Sequence, residues 1–101
     1  MRAMPGWILK SNGDKPLTLR LARGSVKTLG RTARADFIVS AALVSRLHCR
    51  LTADRSDQLV VEDLDSTNGT IVNGRRVKRS LLKAGDRLKV GRVEFIIQAR
   101  E

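Results

Sequence analysis

At 101 residues with 42% apolar content, the chain has the length of one domain and enough apolar surface for a single modest core. Twenty Lys and Arg against ten Asp and Glu leave a net charge of +10, which favours anionic partners: phosphorylated proteins, nucleic acid or an anionic membrane surface. No apolar run approaches the roughly 20 residues of a membrane span, and the N-terminus lacks the apolar stretch of a signal peptide.

Aromatic residues are scarce, with only Trp7, Phe37 and Phe95, so the core must rest on Leu, Val and Ile. Many of these are β-branched and favour strands. Trp7-Ile8-Leu9 reads as a first strand, followed by a turn at Asn12-Gly13-Asp14. Leu17 to Leu21 alternates with period two, as a half-buried strand does. After a turn at Ala22-Arg23-Gly24, Val26 to Leu29 runs as a third strand into Gly30-Arg31, and Phe37-Ile38-Val39 is a short fourth. His48 to Ala53 and Leu59 to Asp63 follow, separated by the polar segment Asp54-Arg55-Ser56-Asp57. Asn68-Gly69 and Asn73-Gly74, both hairpin-type dipeptides, bracket a strand at Thr70-Ile71-Val72. Leu81-Leu82-Lys83 is read as a single helical turn. Arg87 to Val90 and Val93 to Ile97 form a closing hairpin around Gly91-Arg92. With no sustained helical period, the chain is expected to be an all-β sandwich or barrel, one domain over residues 1–101 with its core between about 7 and 97.

Three polar clusters fall where the hydrophobic pattern breaks: Gly30-Arg31, Ser45-Arg46-Leu47-His48, and the run from Asp63 to Gly74. A phosphate monoester carries about −1.5 to −2 charges and offers three acceptor oxygens. Arginine supplies a permanently charged planar fork and hydroxyls supply short-range donors. Arg31, Ser45, Arg46 and Thr67 are groups of those kinds, and Asn68 offers both a donor and an acceptor for a peptide backbone. Spacing alone leaves open whether they converge.

These blocks resemble the forkhead-associated (FHA) domain family. That pattern runs Gly-Arg, then Ser-Arg-x-His, then Asp-Leu-x-Ser-x-Asn-Gly-Thr-x-x-Asn-Gly, and the chain carries all three blocks in that order. Leu82-x-x-Gly85-Asp86 and Gly91 extend the likeness, which covers residues 7–97. The resemblance implies an FHA-type (SMAD/FHA-like) β-sandwich of about eleven strands with binding loops at one end. It further implies a module that binds phosphothreonine in a partner protein. In the positions that match, Arg31 and Ser45 would contact the phosphate, Arg46 would assist, and Thr67 would touch the phosphate or the threonine methyl. Asn68 would bond the peptide backbone, while Gly30, His48 and Gly69 would shape the loops. The segment Ser40-Ala41-Ala42-Leu43 departs from the acidic, proline-bearing stretch common there, and Leu43 is a candidate for direct partner contact.

Other readings remain beside this one. Arg75, Arg76, Lys78 and Arg79, with Lys83, Arg87, Lys89 and Arg92, concentrate positive charge in the C-terminal third. That charge reads as a solvated face, as a field steering acidic phosphopeptides, or as a nucleic-acid surface using backbone contacts. A phosphate-independent interaction domain is a further alternative. An enzyme is not expected: Ser45 and His48 lack an orienting acid and an oxyanion site, and no P-loop, metal-ligand set or cofactor motif is present. The single Cys49 cannot form an internal disulfide and reads as a small buried hydrophobe in an intracellular protein, cytoplasmic or nuclear. Oligomeric state is not legible.

Overall fold

The computed structural model describes residues 6–100, and these build two packed β-sheets. The strands are β1 (Gly6–Ser11), β2 (Thr18–Ala22), β3 (Val26–Gly30), β4 (Phe37–Ile38), β5 (Cys49–Ala53) and β6 (Leu59–Asp63). They continue with β7 (Thr70–Val72), β8 (Arg75–Val77), β9 (Arg79–Leu82), β10 (Arg87–Val90) and β11 (Val93–Arg100). One sheet has six strands in the order β2-β1-β11-β10-β7-β8, and the other has five in the order β4-β3-β5-β6-β9. Every pairing is antiparallel except β3 with β4.

The alternation that marked β2 in sequence is the alternation of burial along it, and β10 alternates in the same way. Leu19 and Leu21, and Leu88 and Val90, point inward while their neighbours face solvent. Together with Leu9, Leu29, Leu51, Leu59, Val61, Phe95 and Ile97 they fill the space between the sheets. Each such side chain contributes about 1.5–3 kcal/mol when fully buried. Cys49 belongs to this core and is fully buried, as a small hydrophobe would be.

Two sequence expectations are corrected. Leu81-Leu82-Lys83 is no helical turn: Leu82 lies opposite Leu59 and Leu81 opposite Val60, so the segment completes the edge of the five-stranded sheet. Pairing with β6 overrides a local preference too short to decide. Asn68-Gly69 is not a hairpin turn either. It lies on the connection that carries the chain from β6 in one sheet to β7 in the other. Asn73-Gly74 does close a two-residue hairpin between β7 and β8, with φ of 50° and 82° at its two residues, the double positive φ of a type I′ turn. After β8 the chain returns to the five-stranded sheet through Lys78 alone, whose carbonyl accepts the Asp63 amide at 2.8 Å.

Sheet register gathers the polar clusters at one end. Leu29 pairs with Cys49, and Cys49 with Asp63, so the residues just past β3, just before β5 and just past β6 are neighbours.

Candidate functional site

Backbone bonds lock these segments together before any side chain acts. The Arg31 amide donates to the Ser45 carbonyl at 2.9 Å, the His48 amide to Leu29 at 2.8 Å, and the Leu64 amide to His48 at 2.9 Å. Gly30 passes so close to the second loop that a Cβ there would lie 2.1 Å from the Arg46 carbonyl oxygen, leaving room for glycine only.

His48 is fully buried and joins two loops through its ring. Its Nδ1 accepts the Ser45 amide at 3.0 Å and its Nε2 lies 2.8 Å from the Gly69 carbonyl oxygen. Because Nδ1 must accept, Nε2 carries the proton and donates to Gly69. Both ring nitrogens are therefore committed to backbone.

The third loop has its own brace. Asp63 Oδ1 accepts the hydroxyls of Ser66 at 2.5 Å and Thr70 at 2.7 Å, and Oδ2 accepts the Ser66 amide at 3.1 Å. Ser66 Oγ in turn accepts the Gly69 amide at 2.9 Å. Burial works to raise the Asp63 carboxyl, but the two hydroxyls and the amide outweigh it and hold it below the ordinary carboxylate value. Asp63 and Ser66 were given no role from sequence. The Asp-x-x-Ser spacing, a common side-chain-to-backbone turn, was the available signal.

On this frame sit the exposed groups. Arg31 Nε donates to the Val44 carbonyl at 2.9 Å, which fixes the plane of the guanidinium and leaves its two terminal nitrogens free among the described residues. Ser45 Oγ accepts the Thr67 amide at 3.0 Å. Asn68 Nδ2 donates to the Leu43 carbonyl at 3.2 Å. Leu43 itself adopts φ 70°, a conformation that Leu rarely takes, and its side chain is 47% exposed. The side chains of Arg46 and Thr67 are exposed and make no hydrogen bond or ion pair among the described residues. The structure thus brings Arg31, Ser45, Thr67 and Asn68 to one place, with Arg46 on the same loop as Ser45. The arrangement offers a charged fork, a hydroxyl and an amide to a ligand outside the loops. Among the described residues no group of His, Cys, Asp and Glu could hold a metal ion.

The basic C-terminal third does not form one patch. Arg76 lies opposite Ile71 on the six-stranded sheet, whereas Arg79 lies opposite Glu62 on the five-stranded one, where Glu62 also bonds Arg50 at 3.1 Å. The single cationic stretch in sequence is divided between the two sheets by the switch at Lys78.

Comparison with known proteins gives a consistent result. The FHA domain family model matches residues 27–91. The chain is 35% identical over 80 residues to an ABC transporter ATP-binding/permease protein of Mycobacterium tuberculosis, covering 79% of this chain and 9% of that protein. It is 35% identical over 91 residues to the FHA domain-containing protein FhaA of the same organism, covering 81% of this chain and 17% of that protein. It is 31% identical to an oxoglutarate dehydrogenase inhibitor of Corynebacterium efficiens, covering 71% of this chain and half of that protein. The chain thus spans half or less of these relatives' length. Among solved structures, the FHA domain of the CT664 protein of Chlamydia trachomatis superimposes with a TM-score of 0.88 at 26% identity, covering 95% of this chain and 99% of that one. The FhaA FHA domain, solved in complex with the intracellular domain of Rv3910, gives 0.83 at 32% identity, with 91% and 99% covered. A domain from a study of phosphothreonine-dependent FHA interactions gives 0.86 at 30% identity, with 95% and 98% covered.

Proposed function

We propose, from the premise that the chain belongs to the FHA domain family, that it binds phosphothreonine-containing segments of a partner protein and serves signalling or assembly. The observation that carries this reading is the Arg31 guanidinium, tied through Nε to the carbonyl of Val44, the chain neighbour of Ser45, with its terminal nitrogens unengaged among the described residues, while the Ser45 hydroxyl is held by the Thr67 amide. Solved neighbours from phosphothreonine- and phosphopeptide-binding studies support it.

In this reading the Arg31 terminal nitrogens and the Ser45 hydroxyl bond the phosphate oxygens. Arg46, unengaged on the same loop, adds charge. Thr67 faces the phosphate or the threonine methyl, and Asn68 bonds the peptide backbone. Gly30, His48 and Gly69 shape the loops. The site needs no metal or cofactor to bind a phosphate. In this reading the site binds a phosphate and does not transfer it, in keeping with the engagement of both His48 nitrogens by backbone partners, which keeps His48 from serving as a base for Ser45. The described residues contain no helix long and apolar enough to cross a membrane. The buried free Cys49 favours an intracellular setting.

The experiment is a phosphothreonine peptide library titrated against the native chain and Arg31→Ala, with phosphoserine and unphosphorylated peptides alongside. Arg31→Ala should weaken binding by about 1.5–3 kcal/mol, roughly 10- to 150-fold. Equal affinity for phosphorylated and unphosphorylated peptides would sink the reading.

A further inference from the structure

The phosphate loops do not end at Asn68. The next residue, Gly69, has φ 89°, and a Cβ placed on it would lie 2.6 Å from Arg76 Nε and 3.0 Å from Arg76 Cδ and Cζ. The Arg76 side chain therefore lies across the backbone of the loop that presents Thr67 and Asn68, in space that only a glycine leaves open. Arg76 is exposed and makes no ion pair among the described residues.

Sheet register extends the site from there. Arg76 is opposite Ile71, and Ile71 is opposite Lys89, so the three form one row on the outer face of the six-stranded sheet. Lys89 is exposed, and Ile71 is half-buried between the two cations. The next residue in the row, Glu94, is held by Arg87 at 2.9 Å. Arg76 and Lys89 thus keep their charge for an outside partner. With strands about 4.8 Å apart, their backbones stand roughly 10 Å from each other, the span of about three residues of an extended chain.

We propose that Arg76, Ile71 and Lys89 form a flanking subsite that selects acidic residues close to the phosphothreonine in the bound segment. The inference rests on the phosphothreonine reading above. It assigns the partner a chemistry: an extended acidic segment, its carboxylates meeting Arg76 and Lys89 and an apolar side chain settling on Ile71. Arg76 contributes most, because its guanidinium adjoins the loop that would hold the peptide backbone. Exposed pairs of this kind are individually weak and sensitive to salt, so the row tunes selection and leaves the bulk of the affinity to the phosphate.

The test uses the native chain, Arg31→Ala and the double variant Arg76→Gln with Lys89→Gln. Gln keeps an unbranched stem over Gly69. Phosphothreonine peptides carry Asp or Lys at each flanking position in turn. In the native chain at least one position should favour Asp over Lys by about five-fold, falling below about two-fold in the double variant. Arg76→Glu should reverse the preference at that position. An Asp preference unchanged in the double variant, with binding still lost in Arg31→Ala, overturns the subsite but leaves phosphothreonine binding intact. The absence of any phosphothreonine binding overturns both. Duplex DNA bound through Arg76 and Lys89, with no acidic preference among peptides, would assign the row to nucleic acid and reject the proposal.

Discussion

The amide of Thr67 donates to Oγ of Ser45 across 3.0 Å, between loops 22 residues apart in the chain. A hydroxyl that already accepts is steered to donate, so the Ser45 proton points away from the protein amide and toward an incoming acceptor. One hydrogen bond both ties the second loop to the third and orients the hydroxyl.

Ser45→Ala should therefore cost binding more than stability. The lost donor to a charged oxygen should weaken phosphopeptide affinity by about 1.5–3 kcal/mol, measured by calorimetric titration. Ser45→Thr, which keeps the hydroxyl, should recover part of it. Equal affinities for wild type and Ser45→Ala would show that the hydroxyl does not meet the phosphate.

His48→Ala should act the other way round, on stability first. It removes a fully buried ring and strands two backbone partners, the half-buried Ser45 amide and the buried Gly69 carbonyl. The expected loss is about 3 kcal/mol or more, lowering Tm by roughly 12–24 °C for a domain of this size. Thermal denaturation with far-UV detection reads it directly, and an unchanged Tm would remove His48 from the frame.

Asp63 makes stability fall in acid. Its carboxyl is depressed in the folded chain relative to about 3.9 when unfolded. Its stabilisation is complete above the unfolded value and disappears as pH drops through the folded one. Below about pH 4 the native chain should lose stability that Asp63→Asn never had, so the two denaturation profiles should converge in acid. Parallel profiles from neutral pH to pH 2 would contradict this.

Cys49 should be chemically silent while the chain is folded. Burial, with the Asp63 carboxylate nearby, pushes its thiol up to about 12. Alkylation at pH 8 should be slower than for a free cysteine by a factor of about a thousand or more, and urea should release it. Rapid labelling of native protein would indicate that the core opens readily.

Long or regularly alternating segments were legible from sequence. β2, β5, β6, β7, β10 and β11 appear near where their patterns place them, and the loops between them carry the polar clusters. β8 and β9 were not legible, because Arg75-Arg76-Val77 and Arg79-Ser80-Leu81-Leu82 are short edge strands with no clean period. β8 pairs locally, through the Asn73-Gly74 hairpin to β7, whereas β9 pairs with β6, which lies apart from it in sequence. At the site, residue types named Arg31, Ser45 and Asn68 as candidates, but not the Asp63 brace, the Leu43 carbonyl or Arg76 over Gly69. Those depend on which backbone atoms meet once two sheets are packed.

The bond from Asn68 to Leu43 has a consequence for what the domain can read. One Asn68 N–H is already committed, so the side chain presents its remaining N–H and its carbonyl oxygen outward. The complement is a main chain whose amide and carbonyl are both unpaired. A phosphorylated residue inside a helix has neither free, and one in the middle of a sheet has both engaged. In the proposed reading, the domain would therefore pass over phosphates inside helices or central strands and favour marks on extended segments whose backbone groups are unpaired.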